Sequence, residues 1–139
     1  MSIDPTASSD VAGECVHTVW DYYDGPREGI ADFRGRPHVY KCQFSQSDDD
    51  WTDRFWLMEI DQPLLELAKE QFAMFLRWAA EFKTGNVSID SHPVLSEERG
   101  RYDELVAIIG DRLQLKPEHS ITGRALFSSD GLTVQWAMP

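Results

Sequence analysis

The chain lacks any excess of positive charge. Its 139 residues hold 13 Lys and Arg against 24 Asp and Glu, a net charge of −11. Generic nucleic-acid binding needs cations to neutralise phosphates, so nucleic acid is not an expected partner. Long apolar runs are missing too, and with them the expectation of a membrane span. Cysteine is scarce, with only Cys15 and Cys42. The opening residues, MSIDPTASSD, lack a basic-then-apolar export pattern, so both thiols are expected to be reduced and the protein cytoplasmic. No nucleophile elbow, phosphate-cradling glycine loop or metalloprotease helix motif occurs. Asp48-Asp49-Asp50 lacks the alternating ligands and turn glycine of a calcium loop and reads as a solvated turn. No catalytic residue, metal or cofactor is assigned from these features.

What is present describes a globular protein. Hydrophobic residues make up 42% of the chain, with five Trp, enough to build one core. Residues 1–12 are expected to be a disordered lead-in and residues 13–139 a single domain.

The chain is organised around residues 19–44, VWDYYDGPREGIADFRGRPHVYKCQF. A strand over 15–23 is broken by Asp24-Gly25-Pro26. A second strand over 29–33 meets Arg34-Gly35, a hairpin turn in which Gly35 is free to take positive φ. A third strand runs over 38–44. Alternation puts Tyr40, Cys42 and Phe44 on the core face, opposite Lys41 and Gln43, and makes Val16, Thr18, Trp20 and Tyr22 the expected core face of the first strand.

The motifs Trp20-Asp-Tyr-Tyr-Asp-Gly-Pro-Arg27, Gly29-Ile-Ala-Asp-Phe33 and Gly35-Arg-Pro-His38 resemble those of a group of small uncharacterised bacterial proteins. The resemblance extends through Asp53 to Phe55, the long helix and His92-Pro93. It implies a bacterial soluble protein and carries no activity to transfer.

Further along, residues 54–60 read as a strand apolar on both faces. Asp61 is placed to cap a helix with Pro63 in its first turn, ending at Thr84-Gly85. Its apolar stripe comprises Leu64, Leu65, Ala68, Phe72, Phe75, Leu76, Ala79 and Phe82. Leu67, Met74 and Trp78 widen the stripe; exposed, Met74 and Trp78 would form a docking patch instead. A second helix is expected from Ser96 to Lys116-Pro117, carrying Tyr102, Leu105, Val106, Ile109 and Leu113. Residues 121–138 read as a hairpin about Ser129-Asp130-Gly131.

Two chemical constellations are visible. Arg27, Arg34, Arg36 and Lys41 against Glu28 and Asp32 give residues 27–41 a local charge of +2, leaving −13 for the rest. Arginine forks suit carboxylates and phosphates; the structural alternative pairs them with Asp21, Asp24 and Asp32. Cys15, His17, His38 and Cys42 are zinc-type ligands, but without a compact knuckle spacing.

The fold expected is α+β: a mostly antiparallel, curved sheet of the N-terminal strands and the C-terminal hairpin, covered by two helices. The function expected is a small acidic bacterial interaction protein, with a toxin-neutralising immunity protein as its most concrete form and a basic protein as its partner. The alternative is a binder of an anionic or phosphorylated small ligand, or an enzyme acting on one. Candidate binding residues for either are Asp21, Tyr23, Arg27, Asp32, Arg34, Arg36 and His38.

Overall fold

The computed structural model describes residues 13–138, so the expected lead-in over 1–12 lies outside the described residues. The elements run β1 (Glu14–Tyr22), β2 (Pro26–Phe33), β3 (Arg36–Ser45), β4 (Asp50–Glu59), α1 (Gln62–Lys83), α2 (Arg99–Ile109), β5 (Ile121–Phe127) and β6 (Thr133–Ala137). They fall into two compact units. One takes the residues up to Ile60 together with those from Gln114 onward; the other is Asp61–Leu113. Among the described residues no helix is long and apolar enough to cross a membrane.

The first unit is a closed barrel of six antiparallel strands in chain order. The α+β class is as expected, but the open curved sheet is not what forms. Strand β6 pairs back onto β1 through Glu14↔Val134 and Cys15↔Thr133. Register shifts break the β1–β2 ladder at three places and the β3–β4 ladder at Cys42/Phe44. Each such irregularity adds bend and twist, and together they turn a meander into a barrel closed by the β1–β6 pairing.

The same shifts change which side chains enter the core. Val16 pairs with Ala31 and Thr18 with Ile30, so His17 is the extra residue of a bulge. Beyond it Val19, not Trp20, packs against the interior. Trp20 and Tyr22 are exposed, and Phe44 is exposed beyond the second shift.

The interior is filled. Val16, Ala31, Phe33, Tyr40, Cys42, Phe55, Leu57 and Val134 form the buried cluster. Tyr40, Phe55, Phe127 and Trp136, one from each of β3 to β6, lie with every pair of ring centroids 5.6–6.4 Å apart. Tilted and edge-on rings at this spacing pack favourably through their quadrupoles. A barrel of this size, plugged by aromatics, holds side chains and not a central ligand.

The second unit is helical. Asp61 caps α1 by accepting from the Leu64 amide at 2.9 Å, Pro63 sits in the first turn, and Thr84 and Gly85 (φ 81°) end it. The buried residues of α1 are Leu64, Leu65, Ala68, Met74 and Trp78. Met74 and Trp78 are therefore core, and Leu76 and Phe82 of the expected stripe are exposed. The Trp78 indole N–H donates to Ser91 Oγ at 2.7 Å, and the ring meets His92 edge-on at 4.8 Å. These contacts come from the loop after α1, and they rotate the buried stripe toward Trp78. Helix α2 is shorter than expected at both ends. Ser96–Glu98 forms a separate short turn, and Gly110 (φ 56°) stops the helix well before Pro117. The Arg101 guanidinium joins α2 to α1 through two hydrogen bonds to Glu70, at 2.7 and 2.8 Å.

Candidate functional site

Among the described residues, two cavities open at the two ends of the barrel. One end is built by the turns after β1, β3 and β5. Tyr22, Asp24, Arg27, Thr52, Asp53, Phe55, Leu126, Phe127 and Asp130 are among the residues lining a cavity of about 410 Å³ there. Arg27 shapes its wall. β2 begins at Pro26, earlier than expected, so Arg27 shares the inward face of Gly29, Ala31 and Phe33. Its guanidinium donates to the Tyr23 carbonyl at 2.7 Å and the Asp24 carbonyl at 3.1 Å, and to Cys42 Sγ at 3.6 Å. It also lies over the Trp51 ring, 5.4 Å from the centroid. The cation is thus spent on the protein's own carbonyls and on an aromatic face.

The rest of this end is acidic and apolar. Three carboxylates, Asp24, Asp53 and Asp130, line the cavity against one guanidinium. Asp130 accepts from Ser128 Oγ at 2.6 Å and from the Leu132 amide at 3.0 Å. The Ser128 hydrogen bond, followed by the backbone donor, holds its carboxyl below the usual carboxylate range, so it is charged at neutral pH. Asp53 pairs with Arg124 at 2.9 Å, both half exposed. Tyr22 and Leu126 stand over the rim at 67% and 69% exposure.

The opposite end holds Phe33, Arg34, Arg36, His38, Leu57, Glu59, His119 and Ile121 around a cavity of about 310 Å³. Several of its anion donors are already engaged. The Arg34 and Gly35 amides, presented by the expected positive-φ turn, both donate to the Glu14 carboxylate, at 2.9 and 2.7 Å. Arg36 pairs with Glu59 at 2.8 Å, and the Arg34 guanidinium lies over the Phe33 ring. A His38 ring N–H donates to the Arg36 carbonyl at 2.8 Å, and the ring meets Phe33 edge-on.

The seven residues singled out in the sequence therefore separate. Arg27 lies at the first end, with Tyr23 exposed in the adjoining turn. Arg34, Arg36 and His38 lie at the second. Asp21 is exposed on β1, and Asp32 faces outward from β2, bonded to His17. The expected pairing of arginines with Asp21, Asp24 and Asp32 carboxylates gives way to carbonyls, Glu59 and aromatic rings. The zinc-type residues separate as well. Cys42 lies in the interior cluster and His38 at one end, while Cys15 is exposed, and among the described residues no group of three donors is arranged to hold a metal.

Asp53, Leu126 and Asp130 escaped the sequence reading. Asp130 was legible only as part of an Asp-Gly turn, and nothing local distinguishes Asp53 or Leu126. They are brought to Arg27 and Tyr22 by strands 26 to more than 100 residues away. No family model, curated protein or solved structure matches the chain.

Proposed function

We propose that the protein is an acidic interaction module that receives a basic protein partner at the barrel end lined by Asp24, Asp53 and Asp130. The observation that carries this reading is the make-up of that end: three carboxylates, of which Asp53 is already paired with Arg124, around a cavity whose lining guanidinium is turned to its own carbonyls, beside exposed Tyr22 and Leu126. An arginine or lysine of a partner lays its aliphatic stem on such a rim and its charge among the carboxylates. The net charge of −11 supports the same direction, since it steers a basic partner toward the surface. A toxin-neutralising immunity protein is the most specific form of this reading, supported by size and charge. The anionic-ligand alternative has less support, because the Arg34 and Gly35 amides are held by Glu14 and the Arg36 guanidinium by Glu59.

The test compares the wild-type protein with a Tyr22→Ala/Asp24→Asn/Asp130→Asn variant, each immobilised and exposed to bacterial extract. The expected result is a basic protein retained by the wild type, released by salt and lost by the variant. Retention that is equal on both surfaces and insensitive to salt overturns the assignment. A rise in melting temperature with inorganic phosphate, abolished by Arg34→Ala, would favour the alternative.

A further inference from the structure

The outer face of the barrel carries an ordered chain of three groups. Cys15 Sγ lies 3.7 Å from His17 Nδ1, and His17 Nε2 lies 2.9 Å from Asp32 Oδ1. The arrangement follows from the ladder. Cys15 and His17 are two apart on β1, and the Val16↔Ala31 pairing places Asp32 across from Cys15 on β2. The bulge at His17 brings the ring within reach of Asp32; bulges characteristically re-aim a side chain in this way. The His17 and Asp32 side chains are only 13% and 26% exposed, whereas Cys15 is at the surface.

The chemistry of this order is specific. In the neutral ring, Asp32 accepts from a protonated Nε2, which leaves Nδ1 as the acceptor facing the thiol. A thiol, a base and a carboxylate that orients the base is the minimum set for an activated sulfur nucleophile. A metal does not suit the same residues, because the two ring nitrogens point to different partners and the donors do not converge. Among the described residues, Glu14 beside Cys15 is turned to the Arg34 and Gly35 amides, and β6 presents Thr133 across from Cys15.

We propose that Cys15 is a nucleophilic thiol that accepts acyl groups from activated esters or thioesters, with His17 as its base and Asp32 as the positioning residue. His17 Nδ1 takes the thiol proton. The sulfur attacks the acyl carbon, a carbon–sulfur bond forms, and the bond from that carbon to its leaving group breaks. The leaving group departs with the proton held by His17, so the products are S-acyl Cys15 and the protonated leaving group. This site is independent of the acidic barrel end.

Cys42 supplies an internal control. Burial pushes its thiol up, even though Arg27 beside it acts in the opposite direction. The native protein is treated with iodoacetamide over a range of pH, and each cysteine is followed by mass spectrometry. An ordinary thiol near pKa 8.5 loses about tenfold in rate per pH unit below that value. Cys15 is expected to hold its rate below pH 7 while Cys42 stays unlabelled. His17→Gln should restore the ordinary profile, and Asp32→Asn should shift it part of the way. With p-nitrophenyl acetate the wild type should release one equivalent of p-nitrophenol in a burst that Cys15→Ser and His17→Gln abolish. An ordinary profile for Cys15 in the wild type overturns the proposal without recourse to any variant. A low-pH rate with no burst overturns the acyl-acceptor role.

Discussion

Gly29 of β2 lies against Tyr40 of β3 so closely that a Cβ on the glycine would stand 2.7 Å from the tyrosine hydroxyl and 2.1 Å from the Thr18 carbonyl. The hydroxyl itself donates to that carbonyl at 3.2 Å, so three strands meet at one point inside the barrel. A methyl group has no room there, because one obstacle is backbone and the other is a fully buried ring.

Gly29→Ala should therefore destabilise the protein, by about 1–3 kcal/mol if the strands can shift and more if they cannot. Gly100 on α2 is the contrasting case: a Cβ there meets nothing within 4 Å. Gly100→Ala should stabilise by roughly 0.5–1 kcal/mol through the lower entropy of the unfolded chain. Urea unfolding of the two variants decides the matter, and a Gly29→Ala protein as stable as wild type would contradict the packing described.

Tyr40 also ties stability to alkaline pH. Burial, with the Glu28 charge as a smaller contribution, holds its phenol well above the usual tyrosine range. In the unfolded chain tyrosine loses its proton near pH 10. Above that pH the folded state retains one more proton, so stability falls as pH rises, by up to about 1.4 kcal/mol per pH unit. Below it the contribution is constant. Tyr40→Phe should cost about 1 kcal/mol at neutral pH for the lost hydrogen bond and should remove this alkaline slope. Urea midpoints measured from pH 8 upward would show the two curves converging; parallel curves would refute the assignment.

Along α1, Trp78 and Phe82 stack at 4.9 Å yet differ in burial, 4% against 43% exposed. Trp78→Ala should cost roughly 3–5 kcal/mol, through cavity formation and the loss of the Ser91 hydrogen bond. Phe82→Ala should cost much less, about 1 kcal/mol. Thermal unfolding separates the two, and equal effects would mean that Trp78 is not a core residue of the helical unit.

Arg27 is expected to hold the turn after β1. Its bonds to the Tyr23 and Asp24 carbonyls close residues 23–27 into a loop in which Asp24 takes a φ of 53°. Replacement by Lys keeps the charge but loses the fork that reaches both carbonyls. Arg27→Lys should increase proteolytic cleavage at Tyr22 or Tyr23 several-fold while leaving the rest of the barrel protected. Limited chymotrypsin digestion reads this directly, and unchanged cleavage would show that the turn stands without the guanidinium.

The parts of this protein that the sequence determined alone are those governed by a residue and its near neighbours. Asp61, Pro63 and Gly85 set the bounds of α1, because capping and positive φ are local properties. Arg34-Gly35 and Asp130-Gly131 set two hairpins for the same reason, and the acidic surface follows from composition. Tertiary structure decided the rest. Closure of the barrel depends on bulges that no local pattern announces, and the bulge at His17 reverses which of Val19 and Trp20 enters the core. Burial of Trp78 depends on Ser91 and His92 in the loop that follows α1. Asp24, Asp53 and Asp130 become one acidic end only when the closed barrel brings the turns after β1 and β5 and the start of β4 to the same end. Cys15 and His17 already share a strand face in the sequence. Asp32 joins them through strand pairing, because the register that sets it across from Cys15 is fixed by the whole ladder and not by residues 15 to 17.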